Sequence, residues 1–112
     1  MNDLSFPVKL LDPAQIELEE IACIYMMLAG KESAKRITDR IFSSIERLAQ
    51  FPYSGTLIRD DELCSLGYRF LVVERYVLIY RVINDSVIIY HIFDGRSDYQ
   101  SLFWNEISNT NQ

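Results

Sequence analysis

The sequence predicts an α+β domain: an N-terminal strand and a helical hairpin packed on an antiparallel sheet, with a three-strand C-terminal meander and a short C-terminal helix. Two amphipathic helical patterns occupy residues 12–50, and three apolar runs rich in β-branched and aromatic residues occupy residues 68–93. Two-residue polar links, Glu74-Arg75 and Asn84-Asp85, join these runs and force neighbouring strands to be antiparallel. With 112 residues, the chain is predicted to form one domain, residues 1–112, that buries a core.

The N-terminal part predicts a short strand followed by a helix. Ser5–Leu11 fits a strand, with Pro7 at its start or on an edge. Asp12-Pro13 is typical of a helix start, with Asp12 as the cap and Gln15 completing a capping box. Gly30 is expected to end the helix. Its predicted apolar stripe consists of Leu18, Ile21, Ala22, Tyr25, Leu28 and Ala29.

The second helix is predicted from Ser33 to Gln50, and Phe51-Pro52 ends it because proline disfavours the helical conformation of the residue before it. Its core-facing residues recur at helical spacing. They are Ala34, Ile37, Ile41, Ile45 and Leu48, widened by Phe42 and Ala49. A short link between the helices implies an antiparallel hairpin, and each helix must pack on the sheet to be stable.

Residues 53–66 are predicted to form a loop with a turn at Gly55. The three strands that follow are Tyr68–Val73, Tyr76–Ile83 and Val87–Phe93. Their apolar runs are nearly continuous, so both sheet faces should be at least partly covered. The hairpin can cover one face, which leaves an apolar or aromatic surface on the other for the C-terminal segment or a partner. A capping box at Ser97–Gln100 would open a last helix with Tyr99, Leu102, Phe103 and Ile107 on its inner face.

The charge distribution argues against a general nucleic-acid binder. The net charge is −5, whereas phosphate contacts need clustered Lys and Arg. Cys23 and Cys64 fit no disulfide framework and no metal-ligand spacing, so two free thiols and no metal or cofactor are expected. No apolar run is long enough to span a bilayer and no secretory leader is evident, so the expectation is a soluble cytoplasmic protein without a membrane partner.

The order of elements resembles the RelE/ParE superfamily of bacterial toxins across nearly the whole chain. The segments that carry the resemblance are Ile45–Pro52, Gly67-Tyr68-Arg69, Tyr76–Val82 and Gly95–Tyr99. The resemblance implies the RelE/ParE-like fold and the toxin of a type II toxin–antitoxin, or plasmid stabilisation, system that arrests growth. It also implies a cognate antitoxin that wraps over the toxin surface. RelE-like members cut mRNA in the ribosomal A site without a metal, and ParE-like members bind DNA gyrase and trap it.

The resemblance to the cleaving branch fails at three positions. An arginine is expected early in the Tyr76–Ile83 strand, where this chain has Val77. A second arginine is expected just after the glycine of the final turn, where strict register places Ser97, and a tyrosine is expected where Phe103 stands. Cleavage through a 2′-hydroxyl needs proton transfer and cations that stabilise the phosphate. The chain is therefore predicted to act by binding, with DNA gyrase as a candidate target.

Five side chains remain as site candidates. If the chain is instead a ribosome-dependent mRNA endonuclease, a shifted constellation of Arg69, Arg96 and His91 is expected to carry the chemistry; a degenerate toxin that only binds its antitoxin is a further alternative. For partner binding the candidates are Arg81, Arg96 and Tyr99. Structural alternatives exist for four of them: Arg69 in an ion pair, Arg81 in an ion pair or with its stem on apolar surface, and His91 as a core imidazole lacking an adjacent carboxylate. Tyr99 can simply anchor the last segment.

Overall fold

A computed structural model describes the backbone of residues 5–110 and the side chains of residues 5–107. The ends of the predicted domain, residues 1–4 and 111–112, lie outside this description. The elements in chain order are β1 (Val8–Leu10), α1 (Asp12–Ala29), α2 (Lys31–Gln50), β2 (Thr56–Leu57), α3 (Asp61–Ser65), β3 (Arg69–Val73), β4 (Tyr76–Ile83), β5 (Ser86–Asp94) and α4 (Tyr99–Thr110). The predicted α+β class is confirmed.

The five strands form one sheet in the order β1-β5-β4-β3-β2. β1 runs parallel to β5, with Val8 opposite Val87, and the remaining pairs are antiparallel. Asn84 and Asp85 both adopt positive φ angles, 51° and 61°, the conformation that a two-residue hairpin turn requires. The predicted meander is therefore confirmed, and Pro7 does precede an edge strand.

The helical hairpin covers one side of the sheet, here called the first face. The predicted stripe of α2 is confirmed in full, since Ala34, Ile37, Ile41, Ile45 and Leu48 are all buried. The last four of them pack with residues of α1, β4 and β5 around Leu78, Tyr80 and Ile89. Phe42, which was expected to widen the stripe, is instead half exposed, at 50%. The buried stripe of α2 is therefore narrower than the stripe of apolar residues in its sequence.

The predicted capping box of α1 is wrong. The helix begins at Asp12, so Leu11 is the N-cap and no side-chain hydrogen bond caps the helix. The side-chain amide of Gln15 donates to the Leu10 carbonyl oxygen instead, at 3.1 Å. Because the helix begins one residue earlier than predicted, Asp12 lies in its first turn, where the helix dipole favours a carboxylate.

The C-terminal end of α1 also differs from the prediction. Gly30 ends the helix as expected, with φ of 92°. Leu28, assigned to the core stripe, is 82% exposed. The packed part of the stripe ends at the contact between the rings of Tyr25 and Tyr76, whose centroids are 6.5 Å apart. The last turn of α1 therefore presents apolar side chains to solvent.

The predicted loop of residues 53–66 contains two elements that the sequence pattern did not reveal. Thr56 and Leu57 form β2, which pairs with Phe70 and Arg69 of β3. Asp60 then caps α3, because its carboxylate accepts the backbone N–H groups of Glu62 and Leu63, both at 3.0 Å. Both elements are shorter than the windows in which a hydrophobic period can be recognised.

The other side of the sheet, here called the second face, is covered within the chain. Ile58, Leu63 of α3 and Phe103 of α4 are buried against Tyr68, Val77 and Ile79. The sequence left open whether the C-terminal segment or a partner covers this face. In the structure the C-terminal segment covers it. The second face is therefore not left open as an apolar surface for a partner.

The start and inner face of α4 depart from the prediction. The helix begins at Tyr99, and the Ser97 hydroxyl donates to the Asp94 carbonyl oxygen at 2.6 Å instead of capping a helix at Ser97. Leu102 is half exposed, while Trp104 packs against the second-face cluster. No helix in the described part of the chain is long and apolar enough to cross a membrane.

Candidate partner-binding site

A β-bulge in β5 builds the polar centre of the second face. Tyr80 pairs with Ile89 and Ile79 pairs with His91, which leaves Tyr90 as an extra residue on the bulged strand. As a result, the adjacent residues Tyr90 and His91 both contact the Phe103 ring, with centroid distances of 6.2 and 5.8 Å. The bulge thus brings a phenol and an imidazole onto one face.

Arg81 lies beside this bulge, between two tyrosine rings. Its guanidinium carbon is 4.6 Å from the Tyr68 ring centroid and 5.5 Å from that of Tyr90. The Nε and Nη2 groups donate to the Tyr90 hydroxyl, and Nη1 donates to the Leu66 carbonyl oxygen. Among the described residues no carboxylate lies within ion-pair distance of Arg81. The guanidinium itself packs on the tyrosine rings, and the ion pair that was one structural alternative is not observed among the described residues.

His91 is buried between two carboxylates, so the expectation that it lacks an acidic neighbour is wrong. Nδ1 lies 2.9 Å from Glu17 Oε2, and Nε2 lies 2.6 Å from Glu106 Oε2. The imidazole also stacks on the Phe93 ring, with the planes 14° apart. His91 therefore links α1, β5 and α4.

Glu17 performs a second task at the edge of the sheet. β1 pairs with β5 only as far as Ile89, so the N–H of Ile92 points to a position without a strand partner. Glu17 Oε1 accepts that N–H at 2.7 Å. One carboxylate of α1 thus satisfies the strand edge and orients the imidazole, as buried polar groups require.

The surroundings of His91 act on its charge in opposite directions. Burial lowers the pKa of His91, but the hydrogen bond and charge of Glu17, together with the charge of Glu106, outweigh it. The net result is a pKa raised above the ordinary value of a histidine. The same clustering raises the pKa of Tyr68, mainly through burial.

A cleft of about 380 Å³ opens between α4 and this polar centre. Its walls include Leu66, Tyr68, Arg81, His91, Phe103 and Glu106. A separate apolar groove of about 540 Å³ runs along the outer side of the hairpin, lined by Leu10, Leu18, Ala22, Thr38 and Phe42 with Gln15 and Glu19. Among the described residues no cluster of three His, Cys, Asp or Glu side chains is arranged to hold a metal ion.

The structure does not bring the other proposed nuclease residues to this cleft. Side chains alternate along a strand, and Phe70 faces the second face, so its neighbour Arg69 points to the first. Arg69 donates to the carbonyl oxygens of Tyr53 and Gly55, at 3.2 and 2.8 Å, and stacks on the Tyr53 ring. Arg69 thus binds backbone carbonyl oxygens and does not form the ion pair that was expected as its structural alternative.

Arg96 lies at a different end of the sheet. Asp94 is paired with Tyr76, whereas Arg69 is paired with Tyr80, about 13 Å further along β4. The side chain of Arg96 is 73% exposed, and its guanidinium donates to Asp94. Tyr99 stacks on Phe93 with ring centroids 6.4 Å apart, which anchors the start of α4.

The three residues that depart from the cleaving branch lie in the second-face cluster and in the exposed turn. Val77 and Phe103 are buried in the second-face cluster. Ser97 lies in the exposed turn and hydrogen-bonds to the backbone of Asp94. None of these three side chains can present a charge or a phenol to a bound substrate.

Glu17 and Glu106 are the site residues that sequence reasoning missed. Glu17 is 74 residues from His91 in the chain and Glu106 is 15, so no local motif connects them. One signal was present: Glu17 lies beside the inner stripe of α1, between Ala14 and Ile21. A carboxylate at such a position needs a buried partner.

Comparison with known proteins places the fold in a family. Residues 8–99 match the family model of the ParE toxin of the type II toxin–antitoxin system parDE. No curated protein sequence matches the chain.

Two solved structures share the fold. A chain of the chromosomal ParDE toxin–antitoxin system of Pseudomonas aeruginosa superposes with a TM-score of 0.69 at 22% identity, over 82% of this chain and 98% of that one. A chain of the toxin–antitoxin complex RelBE2 of Mycobacterium tuberculosis gives a TM-score of 0.60 at 20% identity, over 80% of this chain and 98% of that one. With the family model spanning most of the chain and the fold shared with both structures, this protein belongs to the ParE toxin family of type II toxin–antitoxin systems.

Proposed function

We propose that this toxin acts by binding a cellular target, with DNA gyrase as the candidate, and that a cognate antitoxin neutralises it. The observation that carries the proposal is the burial of Val77 and Phe103 at positions where RNA cleavage would need an arginine and a tyrosine. Cleavage would require a group that removes the 2′-hydroxyl proton, one that protonates the leaving oxygen, and positioned cations. A binding toxin requires none of these.

The separation of the remaining basic groups further supports binding. Arg69 lies on the first face, Arg96 in the exposed turn and His91 behind α4. Groups that act together on one phosphate must lie within a few ångströms of it, and the loss of one positioned donor costs about 10²–10³ in rate. Arg96 is well placed for contact with a carboxylate or phosphate of a target, because its guanidinium is exposed and follows a glycine turn.

The antitoxin surface that we favour is the outer side of the helical hairpin. The groove along α1 and α2 is apolar, and Phe42 is 50% exposed within it. At the end of α1, Met27 and Leu28 are also exposed. Exposed apolar surface of this kind is typical of protein–protein contacts, and an amphipathic helix fits such a groove. Arg81 and Tyr99 are held by contacts within the chain and remain secondary candidates for partner contact.

Gyrase trapping and RNA cleavage should be compared on one preparation of the protein. We expect inhibition of supercoiling by purified gyrase, and no codon-specific cuts in mRNA on translating ribosomes. Arg96→Ala should weaken gyrase inhibition while leaving the melting temperature unchanged, because its side chain is largely exposed. Ribosome-dependent cleavage that His91→Ala or Arg96→Ala abolishes would overturn the proposal in favour of the endonuclease.

Antitoxin binding is tested by co-expression with the product of the adjacent small gene, followed by size-exclusion chromatography. We expect a toxin that is monomeric or weakly dimeric alone and a stable complex with the antitoxin. Phe42→Asp should weaken the complex, and Phe51→Asp, at an exposed phenylalanine outside the groove, serves as the control. Separate elution of the two wild-type proteins at micromolar concentration contradicts an antitoxin partner, and equal effects of the two variants contradict the groove.

A further inference from the structure

We propose that protonated His91 is a latch that fastens α4 to the second face, so that loss of its proton releases the helix. The latch consists of three side chains from three elements: Glu17 of α1, His91 of β5 and Glu106 of α4. The imidazole connects the two carboxylates through its two ring nitrogens, one on each side.

With both carboxylates ionised, the geometry fits only the doubly protonated ring. Ionised carboxylates only accept hydrogen bonds, and a neutral imidazole has only one N–H to donate. Both contacts, at 2.9 and 2.6 Å, are therefore hydrogen bonds only when His91 is an imidazolium. In the neutral ring one nitrogen would direct a lone pair at a carboxylate, and that contact must open.

The contact with Glu106 is the one that should open. Glu17 is fixed by the N–H of Ile92 at 2.7 Å and lies next to the buried Leu18 of α1. Glu106 has a side chain that is 48% exposed, on the last helix of the chain. A neutral His91 can keep its Nδ1–H on Glu17 and lose its hydrogen bond to Glu106 of α4.

The other titratable and charged groups around the imidazole do not replace it. The cleft also holds Arg81 from β4 and the phenols of Tyr68 from β3 and Tyr90 from β5. Tyr99 of α4 lies one ring further away, stacked on Phe93. Burial raises the pKa of Tyr68, which moves it further from the range in which a histidine titrates. The two carboxylates outweigh the burial of His91 and raise its pKa, which favours the protonated ring that the latch needs.

Trp104 provides the readout, because it is the only tryptophan and it packs from α4 against the second-face cluster. We expect its emission to shift to longer wavelength as the pH is raised from mildly acidic to alkaline, with the same midpoint as His91 in an NMR titration. Amide exchange of residues 99–107, corrected for the intrinsic rate, should be about tenfold or more faster at the upper pH.

Two variants separate the latch from a general charge effect. Glu106→Gln can accept from the protonated ring and donate to the neutral one, so α4 should stay docked and the Trp104 transition should disappear. Asp98→Asn removes the same charge just before α4, from a side chain that is not among the hydrogen-bond or ion-pair partners of His91, and should keep the transition.

Three results would overturn the latch. The first is unchanged Trp104 emission and amide exchange while His91 titrates, or a His91 that keeps its proton through the whole range. The second is a Glu106→Gln protein that retains the wild-type transition. The third is loss of the transition in Asp98→Asn.

Discussion

The first face of the sheet is packed mostly with aliphatic side chains beneath α1 and α2, whereas the second face is packed mostly with aromatic rings beneath α3 and α4. Two long helices cover the first face. The polar groups that reach it are hydrogen-bonded to nearby backbone groups. Tyr80, for example, donates its hydroxyl proton to the Pro52 carbonyl oxygen and accepts the Gly55 N–H, both at 2.8 Å.

The second face instead encloses His91 between the carboxylates of Glu17 and Glu106, with Arg81 nearby between two tyrosine rings. Aliphatic packing is independent of pH, but a buried imidazolium stabilises the fold only while it keeps its proton. The packing of the first face therefore stabilises the domain at any pH, whereas the packing of the second face can change with pH. Four predictions test this division.

The largest effect is expected on the first face. Ile41 is fully buried, so Ile41→Ala should lower the free energy of unfolding by about 2–5 kcal/mol through loss of packing and the cavity left behind. Lys35→Ala, on the exposed side of the same helix, should change it by less than about 0.5 kcal/mol. Urea melts of both variants check this, and equal effects would mean that α2 has been assigned the wrong inner face.

A smaller loss is expected for Tyr80→Phe, which keeps the ring but removes the hydroxyl. The N–H of Gly55 and the carbonyl of Pro52 would lose their partner in a closely packed site, at a cost of about 1–3 kcal/mol. Gly55→Ala should be similarly harmful, because an added Cβ would lie 2.5 Å from the Tyr80 oxygen. Thermal melts that match wild type for both variants would refute this role of the contact.

On the second face, Phe103→Ala should cost under about 2 kcal/mol globally, less than a comparable core cavity, because α4 can detach while the sheet and hairpin stay folded. Trp104 fluorescence should then change at lower urea concentration than circular dichroism does. Coincident transitions at a large loss of stability would show that α4 belongs to the same cooperative unit as the first face.

The smallest effect concerns pH. Because the pKa of His91 is raised in the folded protein, its contribution to stability is complete below the ordinary histidine pKa and is lost as the pH rises through the raised value. Wild-type protein should therefore lose stability on going from mildly acidic to alkaline pH relative to His91→Gln. Urea midpoints of the two proteins measured in parallel across that window provide the check, and parallel curves would contradict the assignment.

The sequence alone determined the elements whose patterns are long and local. The stripe from Ala34 to Leu48 has five members over about four helical turns, and the two-residue links of the meander allow only antiparallel neighbours. It also determined that the side chains of Val77, Ser97 and Phe103 carry no permanent charge. These conclusions need only neighbours in the chain.

Tertiary structure alone decided how distant residues meet. The bulge at Tyr90 turned His91 toward α4, and the end of β1 left Ile92 for Glu17 to satisfy. Whether the second face would be closed by the C-terminal segment or left for a partner also depended on packing, which placed Phe103 over it. Hydrogen-bond partners of a buried imidazole are set by which elements come together, and that information is absent from any local window of sequence.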